Sequence, residues 1–114
     1  MKKISHALRG LYIAVKTDRG VQMQILFTTV SLPLLYFVFS PLTAVEIMFL
    51  AIGYGLLFVT ELQNTALERS LDRLHPEGNE EIRDSKDIAA GSVMLSLFIF
   101  MCLVILIAQS RGMI

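Results

Sequence analysis

The stretch A-V-E-I-M-F-L-A-I-G-Y-G-L-L-F-V-T-E-L-Q-N-T-A-L-E-R-S-L-D, residues 44–72, decides the fold of this chain. Its first part, residues 44–60, is almost wholly apolar apart from Glu46. Its second part carries four polar side chains that share one helix face, and we call them the acidic stripe: Glu61, Asn64, Glu68 and Asp72. At about 100° per residue, these four side chains fall within an arc of about 80°. The pattern predicts one long helix that crosses a membrane and emerges from it at the stripe.

The composition of the whole chain supports a membrane protein. The sequence has 114 residues, room for a single domain over residues 1–114, and 54 % of them are apolar. Most of the apolar excess lies in three long runs, a pattern that soluble domains of this size rarely show. We therefore predict an all-α integral membrane protein with three transmembrane helices.

Breaks in the apolar pattern divide the chain into four predicted helical segments. Residues 1–19 have apolar side chains at helical spacing among cations, which predicts an amphipathic helix in the membrane interface. The spans are expected within helices at 21–39, 44–74 and 86–107, separated by the turn S-P-L-T and the breaker H-P-E-G-N. Thr43 and Glu46 match a capping box, and Gly53 and Gly55 are expected to allow close helix approach.

Charge and cysteine content exclude several classes of protein. The chain has ten Lys and Arg against ten Asp and Glu, which argues against a nucleic-acid partner. The single Cys102 permits no internal disulfide and no zinc pattern. Neither a Walker sequence nor a kinase glycine loop is present. Nine of the ten Lys and Arg residues lie in the N-terminal segment or between Arg69 and Lys86, whereas the S-P-L-T turn has none. The N-terminus and the 75–85 loop are therefore expected on the cytoplasmic side.

The acidic stripe is the strongest candidate for chemistry. Like charges at this spacing repel, so such a cluster usually requires a metal ion, a cation or a hydrogen-bonding network. Glu61 is nearest to the bilayer and suited to accept a proton from a substrate hydroxyl, while Glu68 is better placed to bind a divalent cation. Lys86 and Asp87 add a phosphate-pairing cation and a further carboxylate. These are the components of phosphoryl transfer.

Two other interpretations of the stripe remain open at this stage. It could be a solvated helix face beside the membrane, neutralised by Arg69 and Arg73, in a non-catalytic membrane assembly. It could also line an ion or proton pathway in an ion-conducting oligomer. The bunching of the carboxylates at one surface argues against a pathway.

Four segments of the chain resemble the prokaryotic diacylglycerol kinase family, which includes undecaprenol kinases. They are E-L-Q-N-T-A-L-E-R-S-L-D at 61–72, K-D-I-A-A-G-S-V at 86–93, H-A-L-R-G-L at 6–11 and T-D-R-G at 17–20. The resemblance implies a homotrimer of three-span subunits, each with an interfacial N-terminal helix, in the inner (cytoplasmic) membrane. It implies phosphorylation of a lipid alcohol, diacylglycerol or undecaprenol, with ATP and Mg²⁺ at the cytoplasmic surface.

The same resemblance implies a role for each candidate residue. Glu61 corresponds to the catalytic base, and Glu68 with Asp18 to the metal ligands. The remaining candidates correspond to polar or nucleotide-contacting positions: Asn64, Asp72, Glu77, Lys86 and Asp87. Asp18 stands where the family usually has glutamate, so this carboxylate is carried on a side chain shorter by one methylene.

Overall fold

A computed structural model describes residues 2–114 and contains four helices. They are α1 (Lys2–Thr17), α2 (Arg19–Phe39), α3 (Ala44–Leu74) and α4 (Glu80–Ser110). No strand occurs in this range, so the predicted all-α class is confirmed. The helices α2, α3 and α4 are long and apolar enough to cross a membrane, which fits a multi-pass membrane protein. Met1, which the expected helix 1–19 includes, lies outside the described residues.

The long helix predicted from residues 44–72 is α3. Its 31 residues extend about 46 Å, more than a hydrocarbon core of about 30 Å requires. The predicted capping box is present at its start: Thr43 Oγ1 accepts from the Glu46 N–H at 3.2 Å, and Glu46 Oε1 accepts from the Thr43 N–H at 2.9 Å. This fixed start leaves the surplus length at the other end, where the acidic stripe lies.

The helix α4 begins earlier than its apolar run indicates. Asn79 Oδ1 accepts from the Ile82 N–H at 2.9 Å, and Glu80 and Glu81 occupy the first turn, where acids interact favourably with the helix dipole. These local contacts start the helix ahead of Lys86, the expected beginning, and it ends at Ser110, beyond the expected Ile107. Lys86 therefore lies on a formed helix and not at its first turn.

The core lies mainly between α3 and α4, with α2 packed against α3. Its buried members come from these helices: Phe39, Leu50, Tyr54, Leu57, Phe100 and Ile107. The rings of Tyr54 and Phe100 are 4.7 Å apart between centroids. A Cβ on Gly53 would lie 2.9 Å from Phe100 Cδ1, so Gly53 permits this approach as expected. A Cβ on Gly55 would meet nothing within 4 Å, so Gly55 makes no close helix approach among residues 2–114 of the subunit.

Two hydrogen bonds between side chains join the apolar parts of the helices. The hydroxyls of Ser31 and Tyr54 are 2.6 Å apart and link α2 to α3. The hydroxyls of Thr60 and Ser96 are 2.9 Å apart and link α3 to α4 just before the acidic stripe. Polar contacts of this kind fix the register of helices where lipid supplies no alternative partner.

An ion pair between buried Glu46 and partly exposed Arg111 closes the opposite end of the bundle. Arg111 Nε donates to Glu46 Oε2 at 2.6 Å, and Arg111 Nη2 donates to Glu46 Oε1 at 2.5 Å and to the Pro41 carbonyl at 2.7 Å. These hydrogen bonds to Glu46 raise the pKa of Arg111, so the guanidinium stays charged. The pair joins the end of α4 to the turn between α2 and α3, a role for Glu46 beyond capping.

Replacing Arg111 by alanine should lower the resistance of the purified protein to denaturation, because Glu46 would be left buried without its counter-charge. The resistance of Arg111→Lys should lie between those of the wild type and Arg111→Ala, since lysine keeps the charge and loses the bidentate geometry. Unfolding in detergent is followed by circular dichroism, with Arg73→Ala as the control at an exposed cation. Equal unfolding midpoints for Arg111→Ala and Arg73→Ala would contradict a stabilising role for the pair.

Candidate functional site

Asp18 joins the beginning of α2 to α3. It occupies the N-cap position, where aspartate is favoured, and its Oδ2 accepts from the Val21 N–H at 2.8 Å. The same oxygen accepts from Thr65 Oγ1 at 2.9 Å, and Thr65 is only 6 % exposed. One carboxylate oxygen thus caps one helix and holds the neighbouring helix in place.

The Glu61 carboxylate lies beside Asp18, against the backbone of Gly20. A Cβ on Gly20 would overlap Glu61 Oε1 and lie 3.2 Å from Asp18 Oδ2. Glu61 is half-buried at this position. The two carboxylates, 43 residues apart in the numbering, therefore meet at the first turn of α2.

The remaining oxygen atoms come from the next turn of α3. Asn64 Nδ2 donates to Glu68 Oε1 at 3.1 Å, and Asn64 is 9 % exposed. Its Oδ1 is buried and has no hydrogen-bond partner among the described residues. A buried amide oxygen without a donor is unusual and indicates a missing partner. We call Asp18, Glu61, Asn64 and Glu68 the carboxylate cluster.

The carboxylate cluster concentrates negative charge. Both Asp18 and Glu68 act electrostatically on Glu61. Neither of the two ion pairs found within residues 2–114 involves a member of the cluster. Carboxylates brought together in this way must take up a proton or attract a cation.

The donor set fits Mg²⁺, since it consists of oxygen atoms from carboxylates and an amide. The part of the chain that the structure describes has no group of three acidic, histidine or cysteine side chains already arranged around one point. Mg²⁺ commonly uses only one or two carboxylates and completes its shell with water and substrate phosphates. Asp18, Glu68 and the free Asn64 Oδ1 are suitable for such a partial site.

The other predicted residues form a second group, farther along α3. Lys86 Nζ on α4 forms an ion pair with Asp72 Oδ1. Lys86 also lines an open cavity of about 270 Å³ with residues of the loop and the first turns of α4: Glu77, Gly78, Asn79, Ile82 and Arg83. Asp87 is exposed and is not part of that lining. The structure thus brings Asp72, Glu77 and Lys86 together and leaves Asp87 at the edge.

The two groups lie along one helix. From Glu61 to Asp72, α3 advances about 16 Å. The carboxylate cluster is at the end nearer the apolar segment, and the ion pair of Asp72 with Lys86 is at the outer end. An elongated ligand that contacts both groups would have to lie along α3.

Three further residues contribute to this arrangement through contacts that were not predicted from the sequence, although Arg69 was named there as a neighbour that could neutralise the stripe. Thr65 holds Asp18, Gly20 makes room for Glu61, and Arg69 Nη2 donates to Thr17 Oγ1 next to Asp18. Thr65 follows Glu61 by four positions, so helical periodicity places it on the same face and could have indicated it. The contact of Gly20 depends on how α2 and α3 pack, and that of Arg69 on how the end of α1 lies against α3, so no local pattern reveals them.

Comparisons with known proteins find one family and two relatives with kinase names. A family model described as prokaryotic diacylglycerol kinase matches residues 5–108. The diacylglycerol kinase of Haemophilus influenzae is 29 % identical over 94 residues, which cover 82 % of this chain and 78 % of that protein. The undecaprenol kinase of Bacillus subtilis is 30 % identical over 92 residues, which cover 81 % of this chain and 73 % of that protein. No solved structure matches the chain.

Replacing Thr65 by valine, which has nearly the same shape, should lower the free energy of unfolding by about 1–2 kcal/mol, because Asp18 loses a charge-assisted hydrogen bond. Thr65→Ser keeps the hydroxyl and should stay close to the wild type. Denaturant titration of the purified protein in detergent measures both variants. If valine and serine gave the same unfolding free energy, the hydrogen bond to Asp18 would not stabilise the junction of α2 and α3.

Proposed function

The chain belongs to the prokaryotic diacylglycerol kinase family and is a lipid kinase, and we propose that it transfers the γ-phosphoryl group of ATP to a membrane lipid hydroxyl with the help of Mg²⁺. The observation that carries this proposal is that Asp18 lies beside Glu61, with Glu68 close enough to act on Glu61 electrostatically, and that none of the three forms an ion pair among residues 2–114. A metal-bound phosphate supplies the missing charge, and a lipid alcohol supplies a proton for a carboxylate to accept.

Glu61 is the proposed catalytic base. Glu61 is half-buried and comes directly after the apolar part of α3. A lipid hydroxyl at the membrane surface would lie at this level. Glu61 takes the hydroxyl proton, the lipid oxygen forms a bond to the γ-phosphorus, and the bond from that phosphorus to the β–γ bridging oxygen breaks. ADP leaves with the electron pair of that bond. The partial burial of Glu61, and then the charges of Asp18 and Glu68, favour proton uptake by Glu61.

Asp18 and Glu68 are the proposed metal ligands, with Asn64 Oδ1 as a further oxygen donor. When bound, Mg²⁺ supplies charge neutralisation on the phosphate oxygens. Asp18 is held by Val21 and Thr65, and Glu68 is held by Asn64, so both carboxylates are fixed before a ligand arrives. This preorganisation avoids an entropic cost at the moment of reaction.

The second group is the proposed nucleotide site. Lys86 pairs with Asp72 and borders the cavity next to Glu77, so it offers a cation to the phosphates from a fixed position. Asp87, exposed beside Lys86 on α4, is proposed to contact the nucleotide from outside this cavity. The nucleotide would then extend along α3, with its phosphates towards the carboxylate cluster.

We propose that the functional unit is a homotrimer with shared active sites. A single chain of 114 residues is too small to enclose both ATP and a lipid. Large apolar side chains of α2 are exposed in the single subunit, among them Leu26, Val30 and Phe37. Such faces contact lipid or the helices of other subunits.

The site is proposed to face the cytoplasm from the inner membrane. Lysine and arginine are concentrated in α1 and on both sides of residues 75–79, and by the positive-inside rule this supports a cytoplasmic position for those segments. The exposed apolar side chains of α1, such as Leu8 and Val15, would then lie in the interface of that leaflet.

Replacing Glu61 by glutamine should lower kcat by about 100-fold to 10,000-fold, because the proton acceptor is lost while the shape is kept. The protein should fold and assemble as before, since the change removes a repulsive charge. Transfer of labelled phosphate from ATP to extracted lipid measures turnover, and Glu81→Gln serves as the exposed control. Near-normal turnover of Glu61→Gln would reject Glu61 as the base.

Replacing Glu68 by alanine should raise the Mg²⁺ concentration for half-maximal activity by about tenfold or more, as a ligand is removed. Asp84→Ala is the control, because Asp84 is exposed on α4. Identical Mg²⁺ titrations for the two variants would remove Glu68 from the metal site.

Running every assay with diacylglycerol and undecaprenol in one detergent system identifies the preferred lipid.

A further inference from the structure

A side chain at Gly20 would collide with the carboxylate of Glu61 and come close to that of Asp18. A Cβ there would overlap Glu61 Oε1 and lie 3.1 Å from Glu61 Cδ. Its other near neighbour is Asp18 Oδ2, at 3.2 Å. By contrast, a Cβ on Gly10 would meet nothing within 4 Å, although Gly10 also lies within a helix.

The atoms in the way belong to the far end of a flexible side chain. When an added methyl group meets backbone or a packed ring, as it would at Gly53, the helices themselves must shift. At Gly20 the cheaper response is rotation of Glu61 away from α2. A side chain at position 20 would therefore leave the helices in place and move the carboxylate.

Helix stability gives no reason for glycine at this position. Gly20 is the second residue of α2, where alanine would be the better helix former. Replacing glycine by alanine also restricts the unfolded chain, which tends to stabilise a protein where the backbone allows it. The absent side chain is explained by the space that the Glu61 carboxylate takes up.

We propose that Gly20 is a positioning residue for Glu61: by lacking a side chain, it lets the Glu61 carboxylate lie against the first turn of α2 beside Asp18. This inference rests on the proposed role of Glu61 as the base. A general base must be within about 2.6–3.2 Å of the proton that it removes. A displacement of about 1 Å can cost about 100-fold in rate. The methyl group of alanine is large enough to cause a shift of that order.

The test compares Gly20→Ala with Gly10→Ala as the matched control. We expect Gly20→Ala to lower kcat by tenfold or more, while the KM values for ATP and for lipid stay within twofold of Gly10→Ala. Its resistance to denaturation should equal or exceed that of the wild type, so stability and turnover move in opposite directions. A merely structural role for Gly20 would lower both.

A double variant and an NMR measurement follow the carboxylate itself. Glu61→Asp withdraws the carboxylate by one methylene, so it should cost less on the Gly20→Ala background than on the wild type. With a carbon label at the glutamate side-chain carboxyls, the signal that is lost in Glu61→Gln should shift in Gly20→Ala and not in Gly10→Ala.

The outcomes separate this inference from the proposed function. If Glu61→Gln is inactive while Gly20→Ala keeps the kcat of Gly10→Ala, the positioning role of Gly20 is wrong, but Glu61 is still supported as the base. If Gly20→Ala fails to fold or cannot be extracted from the membrane, the added methyl group disturbs helix packing and not only Glu61, and the positioning role is also wrong. An active Glu61→Gln would overturn the proposed base, and this inference with it.

Discussion

The hydrogen bond from Thr65 to Asp18 is the contact on which the rest of the site depends. Asp18 already caps α2 through the Val21 N–H, so the same carboxylate fixes the beginning of the first span against α3. Glu61, one helical turn before Thr65, is thereby brought next to Asp18 at Gly20. Without this junction, the acidic stripe of α3 would be a solvated helix face.

The two ends of α3 differ in whether their acidic side chains form ion pairs. At one end, Glu46 is buried and fully paired with Arg111, as the high cost of an isolated buried carboxylate requires. At the other end, Asp18 lies beside Glu61, Glu68 acts electrostatically on Glu61, and neither ion pair of residues 2–114 includes any of these three acids. A protein that neutralises one end so completely retains the charge at the other for a ligand. This asymmetry is what a kinase for membrane lipids needs, with a stable apolar body and a surface that attracts metal-bound phosphate.

Periodicity predicted the parts of this structure that depend on neighbouring residues, and it failed where distant segments meet. The apolar runs gave the three spans, the capping box gave the start of α3, and the spacing of Glu61, Asn64 and Glu68 gave one shared face. Asp18 was identified only through family resemblance, since its contact with Thr65 crosses 47 positions. Arg111 was missed because its partner Glu46 is 65 positions away. The start of α4 was misplaced because the cap at Asn79 is a single local contact inside a strongly charged segment.

We propose that the first turn of α2 and the acidic half of α3 form one cation site. Mn²⁺, a paramagnetic substitute for Mg²⁺, tests it most directly through the broadening of backbone NMR signals in the detergent-solubilised protein without ATP. We expect low concentrations to broaden the signals of residues 18–21 and 61–68 together, and to spare Glu80 and Glu81. Broadening confined to one of the two helices, or spread evenly over all exposed acids, would contradict a shared site.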